Sequence, residues 1–213
     1  MRHHLATLYR ELGLRGMNQA ASGNVSARTR RGMLITPTGV TADGVAPKSL
    51  VAMDFDGRHA GRLRPSSEWE MHAAIYRADP AARVIVHTHS DAATALACLG
   101  LGLPAFHYSV LAFGGAEVRV APYVTFGTPA LAAAAAAAMS GRSACLLANH
   151  GMICHAATPG AALQAALLLE ALCRQYLMAL SAGVPRLLAA DEIAAARARF
   201  ASYGQQPALH DEE

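Results

Sequence analysis

Pro65-Ser66-Ser67-Glu68-Trp69-Glu70-Met71-His72, followed further on by Val84-Ile85-Val86-His87-Thr88-His89, is the stretch that decides how this chain is read. Val84 to His87 is a short apolar run rich in β-branched residues, the mark of a buried strand. A strand presents successive side chains to opposite faces, so His87 and His89 share a face while Thr88 points away. Two imidazoles so placed can meet one metal ion. Upstream, Ser66, Ser67 and Glu68 open a helix whose first turn is a natural seat for an anion. Glu68 itself cannot be buried there without a partner. Ser67 and Glu70 have the spacing of a capping box, which accounts for those two residues structurally and leaves Ser66 and Glu68 unexplained. The helix runs to about Arg77 and stops at Asp79-Pro80, and His72 on it reads as core packing.

Outward from this unit the same two periodicities recur. Toward the amino terminus, His3 to Arg15 places Leu5, Leu8, Tyr9 and Leu12 at helical spacing and closes at Gly13 and Gly16. Asn24 to Arg28 and Met33 to Thr36 read as a β-hairpin. The loops flanking it, Ser22-Gly23-Asn24 and Thr36-Pro37-Thr38-Gly39, expose N–H groups and hydroxyls that can hold an anion without a lysine; they are also the residues of ordinary turns. Leu50 to Phe55 reads as a strand. Beyond His89 come a helix from Asp91 to Leu99, a strand from Val118 to Ala121, an alanine-rich helix from Ala130 to Met139, and a buried strand from Ala144 to Ala148. That strand ends at Asn149-His150-Gly151, with Met152 to Cys154 continuing past it. Helices from Pro159 to about Ser181 and from Asp191 to Phe200 finish the pattern. Short apolar strands with helices on both sides predict a three-layer α/β/α sandwich in one domain, residues 1–213. His150 emerges where a strand ends; alone it reads as a core or turn residue, and beside a His-x-His it becomes a candidate third ligand. The segment from Leu103 to Gly127 is punctuated by Pro104, Gly114, Gly115 and Pro122. It carries Tyr108, which by itself reads as a packed ring.

Composition narrows the classes. With 213 residues and 53% hydrophobic content, the chain can bury one sizeable core. The Ala- and Leu-rich stretch from Ala156 to Val184 is interrupted by Gln164, Glu170, Arg174 and Gln175, so a core helix is expected rather than a membrane span. No apolar leader is visible at the amino terminus, and a cytoplasmic protein is expected. The net charge of +3 is spread along the chain, apart from Arg28, Arg30 and Arg31, which is too weak a footprint for nucleic acid. Cys98, Cys145, Cys154 and Cys173 are far apart and read as reduced core thiols. Every basic residue but Lys48 is an arginine, and Lys48 sits in a turn. Schiff-base chemistry needs a desolvated lysine, so activation of a carbonyl falls to a metal. Three neutral imidazoles leave Zn²⁺ its full charge and an open position, as in a catalytic site. Such an ion polarises a carbonyl and stabilises an enediolate, with Glu68 able to move the proton and to bind the metal while no substrate is present.

Gly23-Asn24-Val25-Ser26, Leu34-Ile35-Thr36-Pro37-Thr38-Gly39, Ser66-Ser67-Glu68, His87-Thr88-His89 and Asn149-His150-Gly151 together resemble the class II aldolase/adducin family, over nearly the entire chain. Pro104-Ala105-Phe106-His107-Tyr108, Gly114-Gly115, Ala121-Pro122-Tyr123, Thr125-Phe126-Gly127-Thr128 and Tyr203-Gly204 look like its sugar-phosphate aldolases. The resemblance implies a central mixed, largely antiparallel sheet and one zinc per subunit on His87, His89 and His150. It implies Glu68 as both resting ligand and acid/base, and a phosphate seat made by Gly23, Asn24, Thr38, Gly39, Ser66 and Ser67. It further implies a homotetramer with sites at subunit interfaces, in which Tyr108 reaches the neighbouring site and Tyr203 closes it from the tail. The reaction implied is reversible cleavage of a phosphorylated ketose, fuculose 1-phosphate or a related deoxyketose phosphate, to dihydroxyacetone phosphate and a small aldehyde. Epimerases, dehydratases and decarboxylases of the same family are the alternatives, and a non-catalytic adducin-like module is the alternative of another class.

Overall fold

From the amino terminus the chain forms α1 (Arg2–Leu14), β1 (Asn24–Thr29), β2 (Gly32–Ile35), β3 (Val51–Met53), α2 (Trp69–Ala78), β4 (Val84–Thr88) and α3 (Asp91–Cys98). Two very short strands follow, β5 (Leu103–Pro104) and β6 (Glu117–Val118), then β7 (Val120–Ala121), α4 (Pro129–Ala138), β8 (Ala144–Leu147), β9 (Gly151–Ala156), α5 (Pro159–Ala182) and α6 (Ala190–Phe200). This computed structural model describes residues 1–200. Seven strands make one sheet in the order β3-β2-β1-β4-β9-β8-β7. Every pairing in it is antiparallel except β7 with β8. The sheet is therefore mixed and largely antiparallel, as expected.

Strand alternation sorts two apolar layers. Val25 and Ala27 of β1, Val84 and Val86 of β4, and Met152 and Cys154 of β9 face α1, α3 and α5, where Leu5, Leu12, Leu96, Ala166 and Leu169 complete one cluster. Ile85 and Ile153 point the other way, toward α2 and α4, where Met71, Ile75, Tyr76, Leu131 and Ala135 complete the second. Helices on both faces of the sheet give the expected α/β/α sandwich. α5 is long and apolar enough to cross a membrane by length and composition alone; it lays its stripe of Ala162, Ala166, Leu169 and Leu172 against the first cluster.

Polar side chains fix the helix ends. Thr128 and Thr158 accept from the N–H groups of Leu131 and Ala161, and Pro129 and Pro159 follow at the first helical position of α4 and α5. Glu170 of α5, buried, takes the N–H groups of Ala92 and Ala93 at 2.8 and 2.9 Å, so a carboxylate from one helix closes the start of another. Arg28 lies 4.8 Å over the Tyr76 ring and donates to the carbonyls of Ala82 and Asp79 just past the end of α2, each at 2.9 Å.

Four local expectations are corrected. The strand expected over 50–55 survives only as β3, because Asp54 instead accepts the N–H groups of Asp56 and Arg58 and turns the chain. Residues 118–121 divide: Val118 belongs to a separate two-stranded ribbon with β5, and Val120–Ala121 joins the main sheet. The Ser67–Glu70 capping box does not form. Glu68 is the N-cap residue of α2 and makes no side-chain cap bond, since its carboxylate is turned toward the histidines. Cys145, Cys154 and Cys173 are buried free thiols, whereas Cys98, at the last turn of α3, is exposed.

Candidate metal centre and its cleft

The sheet and α2 converge on one point. His87 is the penultimate residue of β4, His89 lies just past that strand, and His150 sits in the turn between β8 and β9. The turn is tight: Asn149 takes a left-handed φ of +54°, and a Cβ on Gly151 would fall 2.4 Å from the Thr88 carbonyl. Only glycine permits that approach, which sets His150 beside the end of β4. The three ring centroids stand 4.8 to 4.9 Å apart and the rings meet edge-on in every pair. One ligand atom from each of Glu68, His87, His89 and His150 lies within 4.8 Å of the others.

The protons are arranged for a cation. His87 Nδ1 donates to the Met152 carbonyl at 2.9 Å, leaving Nε2 to face the cluster. Glu68 Oε2 is 3.0 Å from His87 Nε2 and accepts from Asn24 Nδ2 at 3.0 Å. Oε1 is 3.2 Å from His150 Nε2 and is a buried oxygen with no hydrogen bond of good geometry among the described residues. Burial acts to raise the Glu68 pKa, and the imidazoles of His87 and His150 more than offset it, holding the carboxyl far below its usual range. Burial opposes protonation of His87, but the neighbouring Glu68 carboxylate overrides it and raises that pKa. Burial, and then the charges of His87 and His150, push His89 down to about 4, which keeps its ring neutral at pH 7. A buried anionic oxygen without a hydrogen bond, facing convergent imidazole nitrogens, is the donor set of a divalent cation. The residues present fit such an ion.

A cleft of about 330 Å³ opens over the cluster, a size suited to a small ligand. Gly23, Asn24, Thr38, Gly39, Ser66, Ser67, Glu68, His89 and His150 all line it. The loops meet through bonds from Ser66 N to the Thr36 carbonyl (3.0 Å) and from Thr38 N to the Arg64 carbonyl (3.2 Å). Thr38 and Ser67 are exposed and their hydroxyls have no partner among the described residues, whereas the Ser66 hydroxyl accepts from Glu68 N at 3.3 Å. Gly23, with φ +71°, has no room for a side chain between Asn18 and the His87 carbonyl. Asn24 differs from its expected part, because its amide is engaged by Glu68 and by His72 and has only its second N–H to offer a ligand.

Tyr108 is 52% exposed, stacks on His107 with centroids 4.5 Å apart and does not line this chain's cleft. Tyr203 lies outside the described residues. Lys48 is exposed on a short 3₁₀ turn and is likewise absent from the cleft. Tyr123 and Phe126 are cleft residues to which sequence reasoning assigned no role; two aromatic side chains in an irregular segment beside glycine and proline were the available signal. The buried set Asn24, Ser26, His72 and Tyr76 was missed as a unit.

A sandwich with four convergent metal donors under an open cleft has the build of a metal-dependent enzyme. Residues 3–177 match the family described as class II aldolase and adducin N-terminal domain. The chain is 42% identical over 209 residues to the 5-methylthioribulose-1-phosphate/5-deoxyribulose-1-phosphate aldolase of Rhodospirillum rubrum, covering 98% of this chain and 95% of that one. It is 40% identical to the L-fuculose phosphate aldolase of Escherichia coli strain K12, covering 89% and 88%. A solved L-fuculose 1-phosphate aldolase superposes with a TM-score of 0.89 at 35% identity, over 94% of this chain and 95% of that one. The chain belongs to the class II aldolase/adducin family and is an enzyme of its aldolase branch.

Proposed function

We propose that this single-domain protein, residues 1–213, reversibly cleaves a ketose 1-phosphate to dihydroxyacetone phosphate and a small aldehyde, using one Zn²⁺ held by His87, His89, His150 and, at rest, Glu68. The observation that carries this reading is Glu68 Oε1, buried without a hydrogen bond at the floor of a cleft whose rim bears free hydroxyls. A bound divalent cation supplies electrophilic polarisation of the substrate's ketone oxygen. Glu68, ionised at rest, carries the proton at the carbon beside the ketone: as the carbon–carbon bond breaks, the hydroxyl on the departing carbon gives up its proton and becomes the aldehyde carbonyl, an equivalent proton reaches the electron pair left beside the ketone through the Glu68 carboxyl, and synthesis runs the transfer backwards. Thr38, Gly39, Ser66 and Ser67, with Gly23 and the remaining N–H of Asn24, seat the phosphate through hydroxyl and backbone donors. No lysine is needed there. Tyr123 and Phe126 form an apolar wall for the end of the sugar that leaves as the aldehyde, which favours deoxy and methylthio sugars such as those named for the Rhodospirillum relative.

In the cytoplasm, we propose, the protein is a homotetramer whose sites lie at subunit interfaces, with Tyr108 and Tyr203 of one subunit acting on the aldehyde oxygen and closing the site of the next. Exposure of Tyr108 outside its own cleft supports that part. Mixing inactive Glu68→Gln subunits with inactive Tyr108→Phe subunits restores part of the activity if sites are shared and none if they are not.

The deciding test is a panel of 5-deoxyribulose, 5-methylthioribulose and fuculose 1-phosphates with coupled detection of dihydroxyacetone phosphate, with and without a chelator. Metal-dependent release of dihydroxyacetone phosphate is expected. An epimerised, dehydrated or decarboxylated product moves the chain to another reaction of its family. Activity that survives chelation and is lost to borohydride would point to Lys48 and overturn the mechanism.

A further inference from the structure

We infer that His72 is a positioning residue, which orients the Asn24 amide and through it holds Glu68 with Oε2 tied to Asn24 and Oε1 left facing His150. This rests on the role proposed above for Glu68 and concerns residues that touch neither metal nor substrate, apart from Asn24.

The residues form a ladder between β1 and α2. Glu68, His72 and Tyr76 recur every four residues along one side of the helix, a rise of about 6 Å. Asn24 and Ser26 recur every two along the strand, about 6.8 Å. The two spacings nearly match, so the side chains interleave in the order Glu68, Asn24, His72, Ser26, Tyr76. The links are Asn24 Nδ2 to Glu68 Oε2 at 3.0 Å, His72 Nε2 to Asn24 Oδ1 at 2.5 Å, His72 Nδ1 to Ser26 Oγ at 2.7 Å, and Ser26 Oγ to Tyr76 Oη at 2.8 Å. Asn24, Ser26, His72 and Tyr76 are each at most 4% exposed.

Proton counting gives the ladder one direction. An amide oxygen only accepts, so His72 Nε2 carries the hydrogen, and the neutral ring then accepts at Nδ1 from the Ser26 hydroxyl. Ser26 Oγ, its own hydrogen given to His72, in turn accepts from Tyr76 Oη at 2.8 Å, a closer partner for the phenol hydrogen than the Arg83 carbonyl at 3.5 Å, and the hydrogens along the ladder point toward Glu68. Turning the Asn24 amide over would set its oxygen 3.0 Å from the ionised Glu68 oxygen, acceptor against acceptor. Glu68 itself opposes that flip, and His72 adds to the opposition as the Nε2–H tautomer, whose hydrogen would then face the amide N–H groups. Burial drives the His72 pKa down to about 3, so the neutral ring this order requires is the one present at pH 7. A carboxylate that must exchange between holding a cation and moving a proton depends on where each oxygen points, and one buried bond to Oε2 leaves Oε1 as the group that moves.

Three variants test this: His72→Leu removes both ring partners, His72→Gln keeps an N–H donor toward Asn24, and Ser26→Ala removes the group that feeds Nδ1. Cation affinity is read by zinc titration against a chromophoric chelator, turnover by kcat and KM, and folding by thermal unfolding. His72→Leu is expected to weaken zinc binding and to lower kcat by roughly 10- to 100-fold, the usual cost of losing a residue behind a metal ligand, with KM little changed. His72→Gln should recover most of both, and Ser26→Ala should fall between. A folded His72→Leu with normal affinity and kcat, or a His72→Gln that is no better, overturns the inference in favour of packing alone. Should His72→Leu not fold, Ser26→Ala decides: wild-type zinc affinity and kcat in it overturn the inference. Separately, ¹⁵N NMR of the ring in metal-free protein must find the hydrogen on Nε2; a hydrogen on Nδ1 ends the proposal even if the aldolase reading stands, and an Nε2–H ring in a protein without aldolase activity would leave it intact.

Discussion

Two buried glutamates, Glu68 and Glu170, each bring a carboxylate to the start of a helix, α2 and α3, and have opposite uses. Glu170 spends both oxygens on the N–H groups that open α3, at 2.8 and 2.9 Å. Glu68 is as deeply buried, yet it ties down Oε2 and keeps Oε1 free of hydrogen bonds amid three imidazoles. Burial of a carboxylate therefore does not mark a site. What marks it is an oxygen without a hydrogen bond that faces convergent imidazole nitrogens, where a cation would offset the cost of its burial. The two residues are also coupled in space, because α3 begins directly after His89: the structural glutamate steadies the segment that carries a ligand of the functional one.

The largest effect that separates them is on turnover. Glu68→Gln should lose roughly 10²- to 10⁴-fold in kcat, the size of an acid/base contribution, while retaining zinc measured by elemental analysis. Near-normal turnover would remove Glu68 from the chemistry and collapse the distinction. Glu170→Ala should show the reverse pattern, losing about 3 kcal/mol of stability for two backbone bonds to a charged acceptor, read by urea unfolding, with kcat of the folded fraction nearly intact. A stable Glu170→Ala would mean that α3 starts well without it.

A smaller effect sharpens the comparison through pH. His72 has a folded pKa of about 3 against an ordinary 6.5, so the unfolded chain takes the proton first and destabilisation grows as pH falls from 6.5 toward 3. Its contribution is fully present above pH 6.5. Between pH 6.5 and 5 the metal-free wild type should lose about 1.6 kcal/mol more than His72→Gln, the slope approaching about 1.4 kcal/mol per pH unit once the unfolded ring is fully protonated; parallel stability curves would show that His72 is not buried in neutral form. The smallest expected effect lies on the rim that Glu68 faces. Thr38→Val removes one exposed hydroxyl and should raise KM for the ketose phosphate roughly fivefold, the worth of about one hydrogen bond, leaving kcat alone.

Much of the fold was legible in short-range pattern. The period of 2 in β4 placed His87 and His89 on one face, and helical spacing found α1. Boundaries failed where a side chain overrode local preference: Asp54 turned the chain and shortened β3, and the attraction of Glu68 to the histidines displaced the capping box suggested by Ser67 and Glu70. The polar alternation of Asn24, Ser26 and Arg28 carries no sign of burial in the sequence. The structure puts that face under α2, where His72, Tyr76 and Asp79 satisfy it.

The sequence by itself determined the kinds of donor and the local geometry that carries them: a His-x-His on a strand, a glutamate opening a helix, a third histidine at a strand end, and hydroxyl-rich loops where lysine is missing. These follow from periodicities of two and 3.6 residues, which act within a few positions of the chain. Only the tertiary structure decided that the four donors meet within 4.8 Å and that Asn24 serves Glu68 through His72. It also decided which of two buried glutamates was left with an unsatisfied oxygen. Those outcomes depend on sheet order and on the packing of α2 across β1, contacts between residues more than forty positions apart, which no local pattern encodes.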